Sequence, residues 1–336
     1  MNLKNPPLVA VVGATGAAGS TLLRVLHERR FPMADLRLLA SPRSEGAVVQ
    51  VGDASLTVGA VTEEALRGVD IAFFAAGAGT SRLHAPEVAG SGGVAVDKSS
   101  AFRMEPSVPL VVPEVNPATL AGHQGIVANP NCVAIPLTVS LAPLHRAFGL
   151  RQVTLATYQA ASGAGRDLVA ELAAQEHEDA EGREPHASVY PHVLHGNVVP
   201  GGWSMQGEDT DEELKVIAET RRVLDLAELA ISVTTVRVPV AVGHSGAVFV
   251  ELERAASSDE ARAVLSAAPG VRVVDEPGQQ RYPTPRSAAG TDDVHVGRIR
   301  VDRGRPNGLA FFFSVDNLRK GAATNAVQVA ELLLAG

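Results

Sequence analysis

Short apolar runs and amphipathic segments alternate through the first half of the chain. Leu8 to Val12 is followed by a helical pattern from Gly16 to Glu28 and by a second run from Leu36 to Ala40, with later runs at Ile71 to Ala76, Val94 to Val96 and Leu110 to Val112. Such alternation predicts βαβ units around a buried parallel sheet. From about Asn129 the pattern changes. A helical stretch from Val133 to Phe148 precedes longer alternating runs at Val153 to Ala160, Ile231 to Val238, Ala247 to Glu253, Val294 to Val301 and Leu309 to Val315. These predict a mostly antiparallel sheet with helices over one face. The segment from Gln175 to Trp203, rich in His, Glu, Pro and Gly, shows little periodicity and is expected to be a loop. A last amphipathic helix is predicted from Gly321 to Leu334, with Ala322, Ala326, Val329 and Leu333 on the face that must dock.

Composition narrows the class of function. A chain of 336 residues can bury a core without covalent staples, and it has room for two ordinary domains. The net charge of −8 and the absence of a Lys/Arg run argue against a nucleic-acid partner or an anionic membrane surface. One cysteine cannot make an intramolecular disulfide, which fits a reducing compartment. Met1-Asn2-Leu3-Lys4-Asn5-Pro6-Pro7 lacks the apolar core of a signal peptide, and no apolar stretch is long enough to cross a bilayer, so a cytoplasmic location is expected.

Candidate chemistry appears at a few turns. Gly13-Ala14-Thr15-Gly16-Ala17-Ala18-Gly19 lies between the first strand and the first helix, where backbone N–H groups and a helix N-terminus can receive a pyrophosphate. Its spacing is GxxGxxG, and a structural turn without ligand is the alternative. The second strand ends in Ser41-Pro42-Arg43-Ser44 rather than in the Asp or Glu that holds an NAD ribose, so Arg43 and Ser44 are candidates for a 2′-phosphate; a solvated arginine is the bland alternative. Cys132, in Asn129-Pro130-Asn131-Cys132, precedes a predicted helix whose N-terminus would favour the thiolate, although a lone cysteine can equally be a small buried hydrophobe. Tyr158-Gln159-Ala160-Ala161-Ser162-Gly163-Ala164-Gly165 forms a second glycine-rich turn. His244 follows the Val236-Arg237-Val238-Pro239 stretch and is either a structural histidine or the base that a reactive cysteine needs. Glu212 and Lys215 share a helix face at i, i+3, which a surface ion pair would also explain.

Taken together and in order, these motifs resemble bacterial aspartate-β-semialdehyde dehydrogenases. The resemblance covers nearly the whole chain: GATGAAG, SPRS, SSAFRM with VPLVVPEVN, NPNC, YQAASGAG, the ExxK helix, VRVPV with GHS, VGRIR and DNLRKGAATNAVQVAE. It implies an α/β fold with a Rossmann-like NADP-binding domain at residues 1–128. A catalytic and dimerising α+β domain at 129–318 would follow, and a C-terminal helix at 319–336 would return to the first domain. It implies that Cys132 is the acyl-forming nucleophile, His244 the general acid/base and Gln159 an orienting residue. Arg237 would take the substrate α-carboxylate and Glu212 its α-ammonium, with Asn131 beside them and Arg103 and Lys215 holding phosphate. Gly13, Thr15, Gly16, Ala17, Ala18, Arg43, Ser44, Ser162, Gly163 and Asn317 would contact NADP. The reaction implied is NADPH-dependent conversion of β-aspartyl phosphate to aspartate β-semialdehyde, in the biosynthesis of lysine, threonine, methionine and isoleucine. It needs no metal, and the implied assembly is a homodimer or tetramer.

The chain departs from the family pattern at several places. Val133-Ala134 replaces a Ser/Thr-Thr pair, Pro136 a frequent Gln, Gly246 an acidic residue, Lys98 an asparagine and His195-Gly196 a Pro-Phe pair. Two other functions stay open on the residues. An N-acetyl-γ-glutamyl-phosphate reductase would run the same chemistry on an uncharged, acylated amine, leaving Glu212 without a purpose. A catalytically silent relative serving as an assembly protein would be expected to lose Cys132, Gln159, Arg237 or His244.

Overall fold

The computed structural model describes residues 6–335, which divide into two compact units, residues 6–131 with 322–335 and residues 132–321. In the first unit, seven strands form one sheet. They are β1 (Leu8–Val12), β2 (Asp35–Ala40), β3 (Val48–Val51), β4 (Ala54–Ala60), β5 (Ile71–Phe74), β6 (Val94–Asp97) and β7 (Ile126–Ala128), in the order β3-β4-β2-β1-β5-β6-β7. All neighbours are parallel except β3, which returns on β4 as a hairpin. The chain therefore builds outward from β1 in one direction and then, at β5, in the other. That reversal creates the crevice at the carboxyl ends of β1 and β5 where doubly wound sheets bind ligands.

Helices cover both faces of this sheet, which is why its strands read as continuous apolar runs. Successive strand residues point to opposite faces. Val9, Val11, Ile71 and Phe73 pack with Leu22 and Leu26 of α1 (Ala17–Glu28) and with Val327 and Ala330 of the C-terminal helix. Ala10, Val12, Ala72 and Phe74 pack with Leu66 of the short helix α2 (Glu63–Leu66) and with Ala85 and Val88 of α3 (Ala78–Gly90). Leu110 to Val112, expected as a strand, makes only an isolated bridge to β7 at Ala128. Prolines at 109 and 113 remove ladder donors on both sides of it.

The second unit opens with α4 (Ala134–Phe148) and contains a six-stranded sheet in the order β11-β8-β12-β15-β14-β13. Its strands are β8 (Leu150–Tyr158), β11 (Ala230–Thr234), β12 (His244–Leu252), β13 (Val271–Val273), β14 (Val294–Asp302) and β15 (Gly308–Val315), and a two-residue pair, β9 (Met205–Gln206) with β10 (Asp209–Thr210), stands apart. The four central strands are antiparallel, as the alternation predicts; the edge strands β11 and β13 run parallel to their neighbours. Parallel pairing requires a crossover connection: α6 (Asp211–Leu224) lies on the one from β8 to β11, residues 274–293 make the one from β13 to β14, and α7 (Ser258–Ser266) leads into β13. Helices α4, α6 and α7 cover one face. Pro136 falls at the third position of α4, where its missing N–H has no intrahelical partner to lose. A side chain at Gly246 would collide with Phe313 and Leu155, so packing beneath β12 excludes an acidic residue there.

Two expectations need correction. Gln175 to Ala180, read as loop, is the last part of α5 (Arg166–Ala180), in which Leu168, Glu171, Leu172 and Gln175 form a buried stripe at helical spacing. Half of that stripe is polar, so hydrophobic periodicity could not show it. The last helix is α9 (Thr324–Ala335), preceded by a wide helical turn at Arg319–Ala323 and, between α7 and β14, by the one-turn helix α8 (Pro285–Ala288). Asn325 explains the tight entry into α9: its amide donates to Val111 O (3.0 Å) and to Asn129 Oδ1 (2.8 Å). Among the described residues no helix is long and apolar enough to cross a membrane.

Candidate active site

The glycine-rich turn sits at the carboxyl end of β1. Gly13 takes φ +85°, and a Cβ there would stand 2.9 Å from the Ala75 backbone at the end of β5. At Gly19 a Cβ would lie 2.1 Å from Gly13 O, so only glycine lets α1 pack this tightly on its own turn. Gly16 caps α1 without a side chain and leaves the first-turn N–H groups facing the crevice. The Pro42–Ser44 turn lies alongside, with Thr15 Oγ1 donating to Ser44 Oγ (3.3 Å) and Arg43 exposed. The cradle fits a dinucleotide pyrophosphate because its narrow points are backbone and its donors are main-chain.

In the second unit the strand register brings distant residues to one end of the sheet. Ser245 pairs with Tyr158 and His244 with Val315, so the end of β8, the start of β12 and the end of β15 coincide. Beyond β8 come Gln159 and Ala160, and beyond β15 the turn from Asp316 to Gly321. Asn317 Oδ1 in that turn accepts from Ser162 Oγ (3.0 Å) and from Gly243 N (2.9 Å). Gly321 passes so close to Cys132 that a Cβ would be 3.3 Å from Cys132 O and 3.4 Å from its Cβ. Cys132 is half-buried at the N-terminal end of α4, where the helix dipole favours a thiolate.

The polar groups of this end are held firmly. Ala160 N donates to His244 Nδ1 (3.0 Å), and Ala160 O accepts from Arg237 Nη1 (2.7 Å). A backbone N–H cannot accept, so Nδ1 must offer its lone pair, and a neutral His244 carries its proton on Nε2. That nitrogen and Arg237 Nε are both buried without a hydrogen-bond partner among the described residues. Complete burial, and then the Arg237 charge, push the His244 pKa well below its ordinary value. A methyl group on Gly163 would stand 2.9 Å from His244 Nε2 and 3.0 Å from Arg237 Nη1, so both side chains border one small space.

Gln159 is locked by a parallel bridge to Arg237, and its Nε2 donates to Glu212 Oε1 (3.3 Å). Glu212 is thereby joined to the site from the first turn of α6, buried at 6% exposure, which the surface-pair alternative does not fit. Lys215 pairs with Asp211 at 2.6 Å and only distantly with Glu212, at 4.0 Å. Arg103 and Asn131 belong to the first unit. Arg103 spends Nε on Asn129 O (3.0 Å) and Nη2 on Lys98 O (2.6 Å), bracing the strand that leads to buried Asn131. Sequence reasoning missed Tyr190 and Trp203, whose rings flank Arg237, and Ala160 and Gly321, which act through backbone and through lack of bulk. Gly321, inside the LRKGAATN motif, and Ala160, inside YQAASGAG, carried a sequence signal; Tyr190 and Trp203 lie in a stretch without one.

Comparison with known proteins agrees with this construction. Residues 8–123 match the family model for the semialdehyde dehydrogenase NAD binding domain, and residues 141–320 the semialdehyde dehydrogenase dimerisation domain. An aspartate-semialdehyde dehydrogenase of Aquifex aeolicus is 47% identical over 332 residues, 97% of each chain, and one from Bacillus subtilis is 43% identical over 97% of this chain and 96% of its own. The crystal structure of Vibrio cholerae aspartate semialdehyde dehydrogenase II complexed with ASA superposes with a TM-score of 0.95 at 38% identity, covering 99% of both chains. The chain belongs to the aspartate-semialdehyde dehydrogenase family, with an NAD(P)-binding first unit and a dimerisation domain in the second.

Proposed function

We propose that this protein converts β-aspartyl phosphate to aspartate β-semialdehyde with NADPH, through a thioester at Cys132. The observation that carries the reading is the pair of buried, unpartnered nitrogens, Arg237 Nε and His244 Nε2, at the end of the sheet that also holds Gln159 and Glu212. A desolvated donor without a partner is costly, and a substrate carboxylate and a developing oxyanion are the partners that would satisfy the two.

The steps follow from these groups. The Cys132 thiolate attacks the acyl carbon, a C–S bond forms, and the C–O bond to phosphate breaks with both electrons leaving on phosphate. NADPH, when bound, supplies the hydride that takes the acyl carbon to the aldehyde level. Cleavage of the C–S bond then returns the thiolate. His244 Nε2–H meets the oxygen charge as a neutral donor. For His244 to act as a base at Nε2, its second proton position would have to move to Nδ1 and break the bond from Ala160 N. Arg237 takes the α-carboxylate, Glu212 the α-ammonium, and Lys215 supplies a cation for the phosphoryl group. Gly13 to Ala18 would cradle the pyrophosphate, and Arg43 with Ser44 the 2′-phosphate that distinguishes NADP from NAD.

Cys132→Ser should abolish phosphate-dependent reduction of NADP by aspartate semialdehyde and leave NADP affinity intact, since the hydroxyl is a far weaker nucleophile of similar size. Assays run beside N-acetylglutamate semialdehyde check this, and residual turnover near wild type, or a wild-type preference for the acylated substrate, would sink the proposal. Arg43→Ala should weaken NADP binding by roughly ten- to a hundredfold, the worth of a charge-assisted contact, with little change for NAD; titration of both cofactors decides it, and equal losses would remove Arg43 from the site. Glu212→Gln should lower kcat/KM for the semialdehyde by a similar factor of about ten to a hundred without affecting cofactor affinity. A loss of thermal stability alone would return Glu212 to a structural role.

His244 provides a pH test. The folded protein holds this histidine neutral while the unfolded chain takes up a proton near 6.5, so stability falls as pH drops below that value. The slope contributed is up to about 1.4 kcal/mol per pH unit, and it ends at the folded-state pKa. Nitrogen-15 spectra of the native protein should show an Nε2–H tautomer that does not titrate through pH 6.5; an imidazolium appearing there would contradict the assignment.

A further inference from the structure

The loop from His186 to Trp203 has little secondary structure, yet it is fixed by two buried polar residues one turn apart on α5. The Glu171 carboxylate accepts from Ser188 N (2.6 Å), Ser188 Oγ (2.6 Å), Val189 N (2.5 Å) and Tyr190 N (3.1 Å). Gln175 accepts from Leu194 N and His195 N (2.9 and 3.0 Å) and donates to His186 O (2.8 Å). The loop closes on itself where Tyr190 Oη donates to Gly201 O (2.6 Å), a contact that any side chain at Gly202 would displace. It is also bridged to the segment carrying Arg237, through Arg237 N to Val199 O (2.8 Å) and Val199 N to Arg237 O (2.9 Å).

The result is an aromatic clamp. The Arg237 guanidinium carbon lies 4.7 Å from the Trp203 ring centroid and 5.8 Å from that of Tyr190. With Nη1 tied to Ala160 O, the rings restrict the remaining motion of the guanidinium, and Nε is buried without a hydrogen-bond partner among the described residues. Guanidinium faces on aromatic rings are attractive, and a planar fork held in this way loses less entropy when it meets a carboxylate.

We propose that Trp203 and Tyr190 form the wall of the carboxylate subsite and set its specificity, and that Glu171 is a positioning residue that holds them on Arg237. This rests on the reading of Arg237 as the carboxylate-binding group. It makes Glu171, whose carboxylate touches no substrate, a determinant of substrate affinity. Burial alone would raise the Glu171 pKa, but the Ser188 hydroxyl and the three loop amides outweigh it and hold the carboxylate below its ordinary range, so the latch stays ionised at neutral pH.

Trp203 is the sole tryptophan, so its fluorescence reads the clamp directly. In Glu171→Gln, Trp203 emission should shift to the red as the ring leaves the guanidinium. KM for aspartate semialdehyde should rise by about three- to tenfold, the worth of one hydrogen bond, with kcat and the KM for NADP nearly unchanged. Trp203→Leu should raise the same KM, and Trp203→Phe, which keeps an aromatic face, should restore most of it. Aspartate semialdehyde added to Cys132→Ser without cofactor should change Trp203 emission. An unshifted emission and KM in Glu171→Gln, a parallel loss of kcat and NADP affinity, or equal behaviour of the Leu and Phe variants would overturn the positioning role while wild-type turnover stands. A wild-type enzyme inactive on the semialdehyde, with an emission that the compound does not move, would overturn the carboxylate assignment itself.

Discussion

The site hangs on one peptide unit pair at Ala160. Its N–H holds His244 Nδ1 and its C=O holds Arg237 Nη1, so a single backbone position two residues beyond β8 orients both polar side chains. Everything that makes the arrangement useful follows from that. The N–H dictates which histidine nitrogen carries the proton, and the C=O removes one donor of the guanidinium so that another faces inward. Because main-chain groups cannot change protonation state or rotate independently of the strand, the orientation survives any surface substitution that leaves the β8 register intact.

That register is itself a consequence of packing. A slip of one residue between β8 and β12 would turn Val248 and Val250, now buried, toward the exposed face. The core beneath the sheet thus fixes the site above its end, and small residues make the approach possible. Gly163 leaves room beside His244, Gly321 lets a turn pass Cys132, and Gly246 makes way for Phe313.

Much of this was legible in the sequence where a residue type is tied to a local geometry. The doubly wound unit could be read from continuous apolar runs, and the tight turn after β1 from its glycines, of which Gly13 and Gly19 leave no room for a Cβ. Helix α4 behind Cys132 and the antiparallel centre of the second sheet were visible in their periodicity. What stayed hidden has physical causes. The hairpin β3/β4 is half-exposed and short, so it lacks a strong pattern. α5 buries Glu171 and Gln175, which read as surface residues until the loop N–H groups they accept from, and the His186 carbonyl to which Gln175 donates, are in view. The edge strands β11 and β13 are parallel for reasons of connection, not composition. A backbone donor such as Ala160 N has no side-chain signature, and the Tyr190 and Trp203 rings lie in a segment without periodicity.

The docking of α9 has a consequence for how the chain comes to be folded during synthesis. Val327, Val329 and Ala330 complete the apolar layer over the β1 face, and Asn325 ties the Val111 carbonyl and the Asn129 side chain, yet these residues are made only after the whole of the second unit. The second unit is contiguous and has all its residues in hand earlier. The first unit, although its strands emerge first, must wait with one side of its sheet covered only in part, by α1, until the second unit has been made, an interval in which bare Val and Phe side chains invite association with other nascent chains. Order of synthesis and order of completion are therefore reversed in this molecule, and truncation at the C-terminus would strike hardest at the unit made first.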